Sequence, residues 1–199
     1  MAANQFAFCA VSDQRFCMRL VALLRGINVG GNTMINMAEL RQMFEGLGYQ
    51  NVTSYINSGN LAFDANLTET AGNNDQEAIV AGQIERAVEA NFGRAVPVMV
   101  REQNLFSQII AQNPFEGQYE SHKEMHVLFL KEPLTAGQIV KIEELRSPQE
   151  RFITSDRQVY VHLPMGVADS ILGKGQFERK LGVTITARNW RTVEKLAVL

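Results

Sequence analysis

Three separated segments of the chain carry residue types that suit contact with a polar or anionic ligand. Guanidinium groups match the oxygens of carboxylate or phosphate, and glycine lets a backbone amide approach an anion closely. Together the three segments contribute nine candidate ligand-binding residues: Arg25, Asn28, Gly30 and Gly31; Ser58 and Asn60; and Arg188, Asn189 and Arg191. If the fold brings the segments together, we expect them to form the walls of one shared site.

The first segment resembles a phosphate-binding loop in outline only. An apolar run ends at Arg25, a loop with two glycines follows, and a helix is predicted after Asn36, where Glu39 lies at the spacing of a capping box. Neither GxxxxGK[ST] nor GxGxxG is present, and Asn32 stands where a lysine would serve a phosphate. The alternative is a polar connection whose glycines only satisfy backbone geometry.

The other two segments also have purely structural interpretations. Asn57-Ser58-Gly59-Asn60 separates two short strand patterns and is typical of a hairpin turn. Asn189 suits the N-cap of a final helix. Trp190 lies at helical spacing from Val193 and Ala197, which favours core packing over stacking on a ligand.

The sequence assigns no catalytic residue, metal site or cofactor. His122, His126 and His162 lack the spacing of metal ligands, and no histidine is placed to activate Ser58 as a nucleophile. The carboxylates are scattered over predicted solvated helix faces, so no acid/base pair is indicated.

Composition restricts the class of protein. The 199 residues are 46% hydrophobic, which is enough for a substantial core, and the net charge of -2 with a pI near 6.0 argues against nonspecific nucleic-acid binding. Residues 170–199 nevertheless carry six basic and two acidic side chains, a local charge of +4. A local basic surface is therefore compatible with an acidic protein.

The N-terminal seventeen residues are predicted to be a flexible extension. They contain both cysteines, Cys9 and Cys17, and lack the positive and apolar regions of a secretory signal. No apolar stretch approaches the length of a membrane span. We therefore expect a cytoplasmic protein without a disulfide framework.

The order of predicted elements indicates an α+β fold. Alternating and helical apolar patterns give β-α-β-β-α-β twice, the order of the ferredoxin-like fold, without residue-level identity between the copies. A connecting helix lies between them and a C-terminal helix follows. The predicted division is an extension (1–17), a first ferredoxin-like subdomain (18–101), a connecting helix and linker (102–123), and a second ferredoxin-like subdomain with the C-terminal helix (124–199).

Five motifs, in order, resemble a bacterial family known as domain of unknown function 1697: RGINVGG, AELR, YINSGN, NPF and RNWRTVEKL. The resemblance covers almost all of Met18 to Leu199 and implies a cytoplasmic fold with two ferredoxin-like subdomains, but no activity, substrate or catalytic residue. The residues that match the family's motifs are Arg25, Gly26, Asn28, Gly30 and Gly31; Tyr55, Ser58, Gly59 and Asn60; and Arg188, Asn189 and Trp190.

This chain departs from the family pattern at three positions. The family often has glutamine at Asn57, lysine near Asn32, and Ser-Lys-Leu where this chain has Ser170-Ile171-Leu172, with Lys174 as a partial substitute. The missing lysines argue against a strongly anionic ligand.

Three functions remain open from the sequence. The first is a binding module for a small polar or anionic, nucleotide-like ligand. The second is an enzyme that uses Arg25, Ser58 or Asn60 to polarise its substrate. The third is a protein or RNA interaction module, which rests on fold analogy and lacks the aromatic pair of RNA-binding sheets.

Overall fold

The computed structural model describes residues 15–29, 34–68, 73–173 and 175–199, and every structural statement concerns these residues. The chain forms two halves of four strands and three helices each. The first half contains β1 (Arg15–Leu24), α1 (Met37–Gly46), β2 (Gln50–Tyr55), β3 (Asn60–Thr68), α2 (Asn73–Phe92), β4 (Val98–Glu102) and α3 (Gln103–Ala111). The second half contains β5 (Met125–Leu130), α4 (Ala136–Leu145), β6 (Arg151–Ser155), β7 (Gln158–His162), α5 (Gln176–Leu181), β8 (Ile185–Asn189) and α6 (Trp190–Leu196).

Each half contains one antiparallel four-stranded sheet with the same topology. The strand orders are β2-β3-β1-β4 and β6-β7-β5-β8, so the predicted α+β fold with two ferredoxin-like halves is confirmed. β1 is apolar on both faces because both faces are covered: Leu20 belongs to the core under α1 and α2, and Val21 to the core between the halves. Pro97 immediately precedes β4, which is an edge strand as the proline predicts.

The two halves share a central core. α3 and α6 contribute Phe106, Ile109, Trp190 and Val193 to one buried cluster that also contains Val127 of β5. Trp190 is only 2% exposed, so the prediction that it packs in the core is confirmed. The segment predicted as a connecting helix and linker therefore includes a helix that packs between the halves, where it occupies the same position after β4 that α6 occupies after β8.

Three predicted boundaries are wrong. β1 begins at Arg15, so residues 15–17 pair with β3 and do not belong to the predicted extension. The helix predicted from about Asp169 to Lys180 is restricted to α5, which follows a turn at Gly175 with φ of 61°. The last strand extends to Asn189 rather than ending at Thr186, because β5 continues to pair with it.

The halves differ in two elements near the contact between them. α2 has 20 residues, whereas its counterpart α5 has six. The turn between β2 and β3 has four residues (56–59), whereas the turn between β6 and β7 has two (156–157). A shorter helix and a longer turn thus meet at the same end of the molecule. No helix in the described part of the chain is long and apolar enough to cross a membrane.

Candidate ligand-binding site between the two halves

A cavity of about 400 Å³ lies where the two halves meet beside β8. Four of the nine predicted residues line it: Arg25, Ser58, Arg188 and Asn189. The other lining residues come from the loop after β1, the β2–β3 turn, β5, the segment before α5 together with α5 itself, and β8 with α6: Gly26 and Val29; Ile56; His126; Val167, Leu172, Gly175, Phe177 and Glu178; and Ile185, Thr186, Ala187 and Thr192.

Arg188 joins the second half to the first. Its side chain is only 7% exposed. Its Nη2 donates to the carbonyl oxygens of Leu24 (3.1 Å), Ser58 (3.3 Å) and Gly59 (3.4 Å), and its Nε donates to Asn60 Oδ1. Nη1 donates within β8, to Thr186 and Ala187. Since a guanidinium has five N–H groups, these bonds occupy its donors, and Arg188 acts on the cavity through its charge.

Burial lowers the pKa of Arg188 to about 10, which leaves it a cation at neutral pH. All of its hydrogen-bond acceptors are neutral. No carboxylate of the described residues pairs with this buried cation, so the cavity beside it should favour an anion electrostatically.

The β2–β3 turn is shaped to receive this arginine. Gly59 has φ of 76°, and a Cβ atom there would lie 2.8 Å from Leu24 Cβ, so the position requires glycine. Asn60 is fully buried, and its Nδ2 donates to the Tyr55 carbonyl (3.2 Å) and to Ser58 Oγ (3.0 Å). The Asn60 side chain is therefore used by the turn and by Arg188, and lies behind the cavity wall.

Arg25 stands at the cavity rim. Its Nη2 lies 2.6 Å from Glu178 Oε2, and 42% of its side chain is exposed. Glu178 also accepts from the Ile185 amide at 3.1 Å, so it is held in place by the strand as well as by the arginine. Arg25 is thus the predicted arginine that a ligand can reach without disrupting the fold.

Of the remaining predicted residues, Asn28 and Arg191 do not line the cavity, Gly30 and Gly31 fall outside the described residues, and Asn189 lines the cavity while it caps α6. The Asn28 side chain donates to the carbonyls of Ile35 and Asn57, the latter at 2.8 Å, and accepts from the Ile35 amide. Asn28 therefore shapes the loop. Arg191 is exposed on α6 and does not line the cavity. Asn189 caps α6 through Oδ1, which accepts from the Thr192 amide at 2.9 Å, while the residue itself remains exposed at the cavity.

Sequence inspection missed three cavity residues with unusual environments. His126 is 8% exposed, its Nδ1 has no hydrogen-bond partner among the described residues, and burial lowers its pKa. Ile56 is a β-branched residue with φ of 48°, and it is 53% exposed. Val29 is 62% exposed. Positive φ at isoleucine is rare and costs free energy, so this conformation signals a constrained turn. Of these three residues, only His126 gives a signal in the sequence, because it lies near the start of an apolar strand pattern.

The corresponding contact on the opposite side of the molecule is closed. Arg101, in the equivalent place on β4, donates to the Leu130 and Arg157 carbonyls, as Arg188 does to those of Leu24 and Gly59. Here the carboxylate of Glu77 lies 3.7 Å from Arg101 and also pairs with Arg157. The remaining space is about 60 Å³.

The described residues contain no group of three or more histidine, cysteine, aspartate or glutamate side chains arranged to hold a metal ion. The polar side chains of the described lining residues are two guanidinium groups, one carboxylate, three hydroxyls, one amide and one imidazole.

Comparison with known proteins gives a family and a fold. A solved structure, described as the conserved bacterial protein SP0830 from Streptococcus pneumoniae, is 24% identical, with a TM-score of 0.71 over 92% of this chain and 98% of that one. At this identity the likeness shows the fold alone. No curated protein matches the chain. The model of the family described as "Protein of unknown function (DUF1697)" matches residues 18–160, so the chain belongs to that family.

Proposed function

We propose that the protein binds a small polar or anionic ligand in the cavity between its two halves. One observation carries this proposal: buried Arg188, which has no carboxylate partner in the described part of the chain, lines an open cavity together with Arg25, Ser58 and Asn189. Cavities between structural units, with mostly apolar walls and a few polar groups, are common ligand sites.

The residues have different roles in this proposal. Arg25 contacts the ligand directly because it is exposed and its partner Glu178 is also at the rim. Arg188 provides a fixed positive charge and holds the wall in place. Ser58 and Asn189 supply polar contacts, and the apolar side chains around them hold the body of the ligand.

Binding is tested by native mass spectrometry of the protein purified without denaturation, followed by a small-molecule screen observed by NMR. We expect a bound ligand to shift the resonances of Ala187 and Asn189. We expect Arg25→Gln to weaken binding at least tenfold. Arg191→Gln removes the same charge outside the cavity and should retain binding. Equal affinity in wild type and both variants would place the ligand elsewhere.

An enzyme that uses the same cavity is the second candidate, and His126 favours it. A buried imidazole with an unpartnered Nδ1 in a cavity is suited to proton transfer. Asn60 is excluded from a direct role by its bonds to Tyr55 and Arg188. Turnover of a bound compound that is lost in His126→Leu, with binding retained, would establish this alternative.

A cytoplasmic location completes the proposal. Cys17 is a free, exposed thiol, which suits a reducing compartment. Cell fractionation tests this, and recovery of the protein in a secreted fraction would contradict it.

A further inference from the structure

We infer that the ligand carries a single carboxylate, and that this group takes the position beside Arg188 that the Glu77 carboxylate takes beside Arg101. The inference rests on the proposed function and names the chemical class of the ligand: a small monocarboxylic acid with an apolar body. The molecule itself supplies the template, because its two halves present the same polar framework on opposite sides.

The framework repeats at the level of single hydrogen bonds. The Leu24 amide donates to the Gly59 carbonyl at 2.8 Å, and the Leu130 amide donates to the Arg157 carbonyl at 2.9 Å. Arg188 donates to the carbonyls of Leu24 and Gly59, and Arg101 donates to those of Leu130 and Arg157. Each arginine also donates to the carbonyl of the residue before it. The two arginines are therefore structural equivalents.

The rim ion pairs repeat as well. Glu178 pairs with Arg25 of the first half and accepts from the Ile185 amide of its own half. Glu85 pairs with Lys131 of the second half at 2.7 Å and accepts from the Val98 amide of its own half at 2.9 Å. Ile185 and Val98 are thus equivalent first residues of the two edge strands.

On the Arg101 side, Glu77 completes the framework. Its Oε2 lies 3.7 Å from Arg101 and contacts Arg157, while Oε1 accepts from the Glu102 amide at 2.9 Å. Glu77 comes from the N-terminal part of the long helix α2. One protein carboxylate thus lies beside the buried arginine, pairs with Arg157 and accepts from an edge-strand amide.

On the Arg188 side, the equivalent edge-strand amide is that of Asn189, and no carboxylate of the described residues accepts from it. Glu102 is the fifth residue of β4, and Asn189 is the fifth residue of β8. The Ile185 amide points away from β5 to Glu178, and amides alternate in direction along a strand, so those of Ala187 and Asn189 also point out of the sheet edge. Both residues line the cavity.

The charges of the described lining residues favour a ligand with one negative charge. Among the described lining residues, two arginines face one glutamate, which leaves one positive charge. His126 is buried, and its lowered pKa keeps it neutral at pH 7. A monoanion balances this wall, whereas a pyrophosphate or triphosphate would leave excess negative charge in a partly buried place.

The rest of the cavity suits an apolar body. Val29 and Ile56 of the first half face a wall that includes Val167, Leu172 and Phe177 of the second half. Val29 and Ile56 expose apolar surface to solvent, which is unfavourable, and a ligand between the halves would cover it.

A pair of substitutions tests the charge preference without any ligand. Ala187→Glu places a carboxylate at the cavity wall, and Ala187→Gln is its neutral match. We expect NMR titration to give the introduced carboxyl a pKa below the ordinary value of about 4.3. We also expect Ala187→Glu to melt at a higher temperature than Ala187→Gln at pH 7 and low salt. A raised carboxyl pKa, or a lower melting temperature than the glutamine variant, would overturn the inference.

A second arm compares benzoate, benzamide and pyrophosphate as probes in NMR titrations of the wild type. We expect benzoate to bind at least tenfold more tightly than benzamide, and Ala187→Glu to lose benzoate more completely than Ala187→Gln does. Equal binding of benzamide, or tighter binding of pyrophosphate, would overturn the carboxylate assignment while leaving ligand binding intact. If no small molecule binds the cavity, the proposed function fails, and the introduced carboxyl's pKa still measures the charge preference.

Discussion

The two contacts between the halves have the same framework but opposite contents. On both sides a buried arginine from an edge strand donates to the carbonyl at the end of the opposite half's central strand. Beside Arg101 the protein supplies Glu77 and leaves a space of about 60 Å³. Beside Arg188 the described residues supply no carboxylate partner and leave about 400 Å³. The comparison indicates that the second contact is open because an element is missing from it.

In the described second half, α5 is the equivalent of α2 but has no counterpart of the N-terminal part of α2. α2 begins twelve residues before Glu85, whereas α5 begins two residues before Glu178. The segment before α5 turns instead of continuing as a helix. The longer β2–β3 turn places Ile56 and Ser58 at the cavity that lies beside this segment. Neither change disturbs the arginine framework, so a cavity is accommodated without loss of the fold.

Removal of the buried arginines should have the largest effect. Arg188→Met removes the guanidinium that donates to the Leu24 carbonyl and to Asn60 Oδ1. We expect a loss of about 3–5 kcal/mol in the free energy of unfolding. Arg101→Met should cost somewhat less, about 2–4 kcal/mol, because Glu77 keeps Arg157 as a partner. Urea unfolding measures both.

The exposed Arg191→Met is the control for these variants and should stay within about 0.5 kcal/mol of wild type. If Arg188→Met were as stable as Arg191→Met, Arg188 would not join the halves, and the two contacts would not be equivalent.

Gly59→Ala should be the next most damaging change. A Cβ atom at 2.8 Å from Leu24 Cβ adds a steric clash to an unfavourable backbone conformation, and we expect a loss of about 2–4 kcal/mol. Gly48→Ala is the matched control, since Gly48 has φ of 88° but open space around it, and should cost about 1–2 kcal/mol. Thermal unfolding of the two variants separates crowding from conformation; equal losses would mean that the turn does not press against β1.

Glu77→Gln examines the closed contact alone. The amide cannot neutralise Arg101 and Arg157, which are left close together in a buried place, so we expect a loss of about 2–3 kcal/mol. Glu89→Gln, on the exposed part of α2, should change the free energy of unfolding by less than about 0.5 kcal/mol. Urea unfolding at low and high salt provides the measurement. An unchanged stability would show that the carboxylate is dispensable there and would weaken the template for the open contact.

The smallest expected effect concerns pH. Burial lowers the pKa of His126 in the folded protein, so as pH falls below the ordinary value of about 6.5 the unfolded state gains a proton that the folded state resists. Wild type should therefore lose stability relative to His126→Leu between pH 7.5 and 5.5, by at most about 1 kcal/mol for each pH unit below 6.5. Leucine suits the place, since Leu20 opposes Glu102 as His126 opposes Asn189. Parallel pH dependences of the two proteins would argue against the buried, neutral state of His126.

Local pattern was sufficient to predict much of the fold. The β-α-β-β-α-β order of each half, the central position of β1 and the core packing of Trp190 all follow from apolar periodicity. The side-chain caps at Asn36 and Asn189 follow from residue type and position, and each accepts the expected helix amides. These features depend on residues within one element or its immediate neighbours, which the sequence displays directly.

The roles of the polar residues were decided by tertiary structure. Arg188 and Asn60 were predicted together as ligand contacts, but they are 128 residues apart and bond each other, so their capacity is consumed within the protein. The length of α5 depended on the turn before it, and the relation between Glu77 and the empty place beside Arg188 exists only in the equivalence of the halves. The sequence alone determined which segments carry polar chemistry and that the fold has two similar halves. Only the tertiary structure decided which of those groups are occupied by the protein and which face a cavity, because hydrogen-bond partners and charge balance depend on residues brought together from both halves.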